Sequence, residues 1–158
     1  MDGSPLGPLD RTAFQRGRRR SGDRAEAFVA ERLREVGWRI VGRQVPVGRD
    51  ELDIVAVEPG SGGAPGPGTL VFVEVRSARD GRFGAPEESV VGRKAARTYR
   101  AALALLRAGA LPDGRALPHL PWRVDVVAVT GLDADGADGP AGALPRLRVR
   151  HVRGIDPG

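Results

Sequence analysis

Two apolar runs, DELDIVAVE and TLVFVEVR, constrain this chain more than any other feature, because each is built like a buried strand and each carries acids that a buried strand excludes. Both are rich in β-branched and aromatic residues, which suit a pleated, half-buried surface. Side chains on a strand alternate between its faces. In the second run Leu70, Phe72, Glu74 and Arg76 therefore share one face, and Val71, Val73 and Val75 the other. In the first, Glu51, Asp53, Val55 and Val57 are expected to lie opposite Leu52, Ile54 and Ala56. Both faces are apolar through mid-strand, which predicts a sheet covered on both sides. A buried carboxylate persists only when a cation, a proton or a partner offsets it.

The Gly/Pro-rich PGSGGAPGPG between the runs predicts an antiparallel hairpin, so the start of the first strand lies near the end of the second. That brings Asp53 close to Glu74. Two chemistries fit these acids. Magnesium takes oxygen ligands and keeps several waters, so Asp53 and Glu74, with the Val75 carbonyl, suffice to hold it. Arg76 then stands beside the site as a fixed cation that cannot deprotonate. Alternatively, Arg76 pairs with Glu74 or Asp53 in a structural ion-pair network.

The remaining elements follow from periodicity. A helix is predicted from Gly22 to Val36, with Val29, Leu33 and Val36 on one face and Ser21 as its cap. Glu26 falls on or beside that apolar face, either turned outward or reaching toward the acids. WRIVGRQV reads as a first strand, Glu87 to Leu106 as a long helix, and WRVDVVAVT and LPRLRVRHV as the last two strands. The order α-β-β-β-α-β-β predicts an α/β (α+β) domain with a mixed central sheet covered by helices. Residues 1–20 are expected to form a mobile basic arm, 21–155 a single domain and 156–158 a tail.

Composition narrows the function. Of 25 basic residues only Lys94 is lysine, and the net charge is +5, which suits a polyanionic partner. The absence of cysteine excludes disulfides and thiolate metal sites and fits the cytoplasm. No apolar run reaches the roughly 20 residues that span a bilayer, so no membrane association is expected. The only histidines, His119 and His151, lack zinc-site spacing, and no GxxxxGK loop is present.

Five segments match one family in order: RAEAFVAERLREVGW; GRDELDIVAVE; LVFVEVRSARDGRFGAPEESV with GRKAARTYRAA; RVDVVAV; and HVRG. Over about residues 22–155 the chain resembles the YraN family of bacterial proteins, grouped with the PD-(D/E)XK nuclease superfamily and similar in fold to Holliday-junction resolvases. The resemblance implies a restriction-endonuclease-like core and a Mg2+- or Mn2+-dependent endonuclease hydrolysing phosphodiester bonds in DNA, including branched DNA and junctions. It implies metal ligation by Asp53 and Glu74, support from Glu26, and Arg76 in the catalytic lysine's place. Glu51, Lys94 and Gln44 fall on further family positions as supporting or DNA-contacting residues, Gln44 where the family usually has asparagine. Asp125 matches an aspartate of the fourth strand, and its residue type there suits an ion pair better than a ligand. Ala25 and Asp50 replace family glycines. Resolvase-like nucleases often work as dimers, which extends the expectation to a homodimer. Because Arg76 replaces lysine, the alternative expectation is a catalytically impaired nucleic-acid-binding module on the same fold.

Overall fold

The acid-bearing strands do pair with each other. The computed structural model describes residues 11–60, 66–78, 88–131 and 148–156. Its elements are α1 (Arg11–Glu35), β1 (Arg39–Val47), β2 (Asp50–Glu58), β3 (Thr69–Ala78), α2 (Glu88–Ala108), β4 (Trp122–Thr130) and β5 (Arg148–Val152). The strands form one five-stranded sheet in the order β1-β2-β3-β4-β5. β2 runs antiparallel to β1 and β3. β4 is parallel to β3, which α2 makes possible by crossing between them, and β5 returns antiparallel to β4. The result is an α+β domain with a mixed sheet, consistent with a restriction-endonuclease-like core.

Each helix covers one face. α1 buries Val29, Ala30 and Leu33, spaced as one helical stripe, against Ile54, Ala56, Val71, Val73, Val127 and Val129. α2 buries Ala101, Ala102 and Leu105 against Val55, Val57, Leu70, Phe72 and Val124. The small alanines of α2 let its backbone approach the sheet. Gly37, at φ 91°, closes α1 and turns the chain so that Trp38 donates its N–H to the Leu33 carbonyl at 2.9 Å.

Two details differ from expectation. α1 begins at Arg11 rather than Gly22, so its first turns run through residues expected as a mobile arm. Arginine, glutamine and alanine are good helix formers and extend a helix whose C-terminal half is fixed by packing. Residues 1–10 and 157–158 lie outside the described residues. The second difference is Leu52, which joins the α2-side core with Val55 and Val57 rather than the face of Ile54 and Ala56. Alternation breaks between the pairs Arg43–Ile54 and Val45–Leu52, where Gln44 adopts φ 48°. A left-handed residue rotates the strand locally and reassigns the faces beyond it.

Candidate metal and phosphate site

The irregularity at Gln44 positions the acids. The β2–β3 ladder ends at Ile54–Val73, so Asp53 is the first β2 residue past it. Freed from the ladder, its Oδ2 accepts the Val75 N–H at 2.8 Å, across the strand end. Glu74, half-buried beside it, accepts a hydrogen bond from Thr98 Oγ on α2 at 2.8 Å. Glu26 enters from α1, with 8% of its surface exposed and its Oε2 buried without a hydrogen-bond partner among the described residues. Asp53 on β2 thus feels the carboxylates of both Glu74 on β3 and Glu26 on α1.

Their electrostatics record the crowding. Burial pushes the Asp53 carboxyl up to about 8, the Glu74 and Glu26 charges add to the rise, and the Val75 N–H opposes it. Burial likewise raises Glu26, helped by the charges of Asp23 and Glu51 and countered by the Gln44 amide. Gln44 also donates to Asp23 Oδ1 at 3.0 Å, which ties β1 to the start of the packed part of α1. At neutral pH the site therefore holds a proton that a cation would displace.

Arg76 lies two residues beyond Glu74 on β3, and its Nε and Nη2 are buried with no hydrogen-bond partner among the described residues. The ion pairs from Arg76 to Glu74 or Asp53 that a structural network requires are not among the salt bridges of the described residues. Glu51 is exposed, contributing to the site through its charge on Glu26. Lys94 lies on α2, but its side chain is outside the described residues.

The residues fit a hard divalent cation in part. Among the described residues no group of three or more His, Cys, Asp or Glu side chains has the geometry to hold a metal. Two carboxylates do fit magnesium, which fills its octahedron with backbone oxygen, water and substrate phosphate. The unpartnered Glu26 oxygen and the proton held on Asp53 mark an acidic site short of positive charge.

Asp125 belongs elsewhere. Fully buried on β4, it accepts hydrogen bonds from Arg123 Nε at 2.9 Å, Arg123 Nη2 at 3.1 Å and the Gly154 N–H at 2.9 Å, and its Oδ2 lies 2.8 Å from His151 Nε2. Burial pushes its carboxyl up, but these bonds outweigh burial and hold it below the usual carboxylate range. Glu58 joins the network at 2.6 Å from both Arg123 Nη1 and Arg153 Nη1. Trp38 stacks beneath, 5.8 Å from the Arg123 guanidinium and 5.9 Å from that of Arg153. As its residue type suggested, Asp125 is an ion-pair partner.

Thr98 is the site residue the sequence reading missed. It is three residues after Ala95 and four before Ala102, on the buried stripe of α2, and 3% exposed. A hydroxyl on such a stripe needs a partner inside, and that was the available signal.

A family model described as Uncharacterised protein family UPF0102, the YraN family, matches residues 25–129. The chain is 39% identical over 110 residues to a UPF0102 protein of Deinococcus radiodurans, covering 70% of this chain and 80% of that protein. It is 37% identical over 136 residues to one of Symbiobacterium thermophilum, covering 85% and 94%. A third, from Arthrobacter, is 38% identical over 135 residues, covering 85% and 93%.

Proposed function

The chain belongs to family UPF0102, and from its acidic strand end we propose that it is a divalent-cation-dependent endonuclease-like protein of the cytoplasm acting on DNA, branched forms included. The observation that carries this is the action of the Glu74 and Glu26 charges on Asp53, with the Asp53 proton retained up to about 8. Acids crowded into a low-dielectric site, at the cost of their own ionisation, support a functional reading, because such perturbed groups cluster at functional sites.

Asp53 and Glu74 would hold Mg2+ or Mn2+, which when bound would supply Lewis-acid polarisation of a phosphate oxygen and lower the pKa of an attacking water. Thr98 fixes the Glu74 carboxylate, and the Val75 N–H fixes that of Asp53, so neither has to reorganise when a cation enters. Glu26, whose Oε2 has no hydrogen-bond partner among the described residues, would orient or deprotonate water. Arg76 contributes fixed positive charge that stabilises a developing phosphorane without exchanging a proton. The excess of arginine suits contacts to the DNA backbone rather than to bases, which makes binding salt-dependent. No helix among the described residues is long and apolar enough to cross a membrane.

A second function is favoured by one observation, the Nε and Nη2 of Arg76, buried with no hydrogen-bond partner among the described residues. An arginine in place of a proton-transferring lysine fits a protein that binds DNA on the same fold without cleaving it. Cleavage of single-stranded, duplex, flapped and four-way DNA with magnesium or manganese decides between the two. The wild type is expected to cut and the Asp53→Asn/Glu74→Ala double variant to lose cutting. Salt-dependent binding with no cutting by either protein would establish the binding module instead.

A further inference from the structure

The opposite end of the sheet carries a second surface. β5 is the last strand of the sheet, and among the described residues nothing pairs with its outer edge. Such an edge offers a row of free N–H and C=O groups to any extended chain. Beside it lies a groove of about 150 Å³, walled by Phe28, Arg32 and Val36 of the α1 end and by Val149 and His151 of β5. Val36 and Val149, at 68% and 45% exposure, are two of the three exposed large hydrophobic residues among the described ones; the third, Val152, is on the other face of β5 with Arg148 and Arg150. Exposed apolar side chains gathered at a free strand edge are what strand addition uses, with the edge supplying affinity and the pockets selecting alternate side chains.

Charge selects the occupant. Arg148 and Arg150 lie on the face of β5 opposite Val149 and His151, both exposed, and neither has an acidic partner among the described residues. β5 itself carries no acid. A second copy of β5 placed antiparallel would set these arginines against each other, which is unfavourable. An added strand with acids facing Arg148 and Arg150 and apolar residues facing the groove meets both demands. We propose that β5 and the groove form a docking edge for an extended peptide segment of alternating acidic and apolar residues, which joins the sheet as a sixth strand. The groove volume takes one ring or branched aliphatic side chain.

Fluorescence anisotropy with the full chain, free of divalent cation, tests this. The probes are a labelled peptide of alternating Glu and Val, its Lys/Val counterpart, and a block peptide of the same Glu and Val content. The alternating acidic peptide is expected to bind about tenfold tighter than either control. Arg148→Glu/Arg150→Glu is expected to reverse the charge preference, and Val36→Asp to weaken binding about tenfold. All three side chains are exposed, so unchanged circular dichroism and Tm confirm that the variants fold. Asp53→Asn is expected to bind the peptide like wild type, which separates this surface from the nuclease site. Equal binding of the three peptides would overturn the proposal. So would sedimentation showing self-association lost in the double arginine variant, since the occupant is then a second copy. Displacement of the acidic peptide by duplex DNA in the Asp53→Asn variant would overturn it too, assigning Arg148 and Arg150 to phosphate.

Discussion

Thr98 is the side chain through which α2 reaches the acidic strand end. Its hydroxyl donates to Glu74 with no water needed between them. Thr98→Val keeps the shape and removes the donor, and is expected to weaken manganese binding about tenfold, read by calorimetry. Thr98→Ser should retain most of the wild-type affinity, whereas a merely space-filling role would make serine the worse replacement. Arg76→Lys is expected to raise the cleavage rate if the missing proton transfer limits the reaction. Unchanged cleavage with metal still bound would remove that explanation. Gly68 is a separate constraint: at φ 82°, a Cβ there would meet the Glu58 carbonyl oxygen at 2.5 Å. Gly68→Ala is therefore expected to lower stability by more than about 1 kcal/mol, read by urea unfolding.

Among the elements, β3 is where fold and site are one object. Phe72, fully buried, packs edge-on to Trp122 with centroids 6.0 Å apart, while Glu74 on the same face reaches Thr98. Phe72→Ala is expected to cost about 3–5 kcal/mol in chemical denaturation, and the site should be lost with the packing. The strands, their antiparallel hairpin and the meeting of Asp53 with Glu74 were legible because period-two alternation and a short Gly/Pro connection leave few registers. Leu52 was not legible, since nothing local announces that Gln44 will take a left-handed φ and interrupt alternation. The asparagine usual in the family at that position is the better hint, because asparagine tolerates that conformation more readily than most residues. The start of α1 escaped for a different reason. Its early turns carry no apolar stripe, so helix propensity and cooperativity, not periodicity, extend them.

For the molecule as a whole, the two carboxylate clusters pull stability in opposite directions with pH. Asp53 keeps its proton up to about 8 when folded but releases it near 3.8 when unfolded. Across that window the folded state binds more protons, so stability falls as pH rises. Asp125 and Glu58 behave conversely: their folded values lie below the unfolded 3.8 and 4.5, so the stability they add is present above those values and lost as pH falls. The cation-free protein is therefore expected to have its highest Tm near pH 4–5, by about the point where the two trends cross. Asp53→Asn should flatten the decline toward pH 8. Manganese should raise Tm more at pH 8 than at pH 5, since it competes with the Asp53 proton.

Order of synthesis gives the Asp125 network a further meaning. The carboxylate emerges 26 residues before His151 and 29 before Gly154, two of the groups that satisfy it. Of the groups that satisfy Asp125, only Arg123 precedes β5 in the chain, and β5 is the antiparallel partner of β4 on that side. The pairing of β5 with β4 thus completes the set of groups that satisfy Asp125, and burial of that anion depends on this strand. Polypeptides that stop before β5 are expected to be more protease-sensitive than the chain that carries it, read by limited proteolysis.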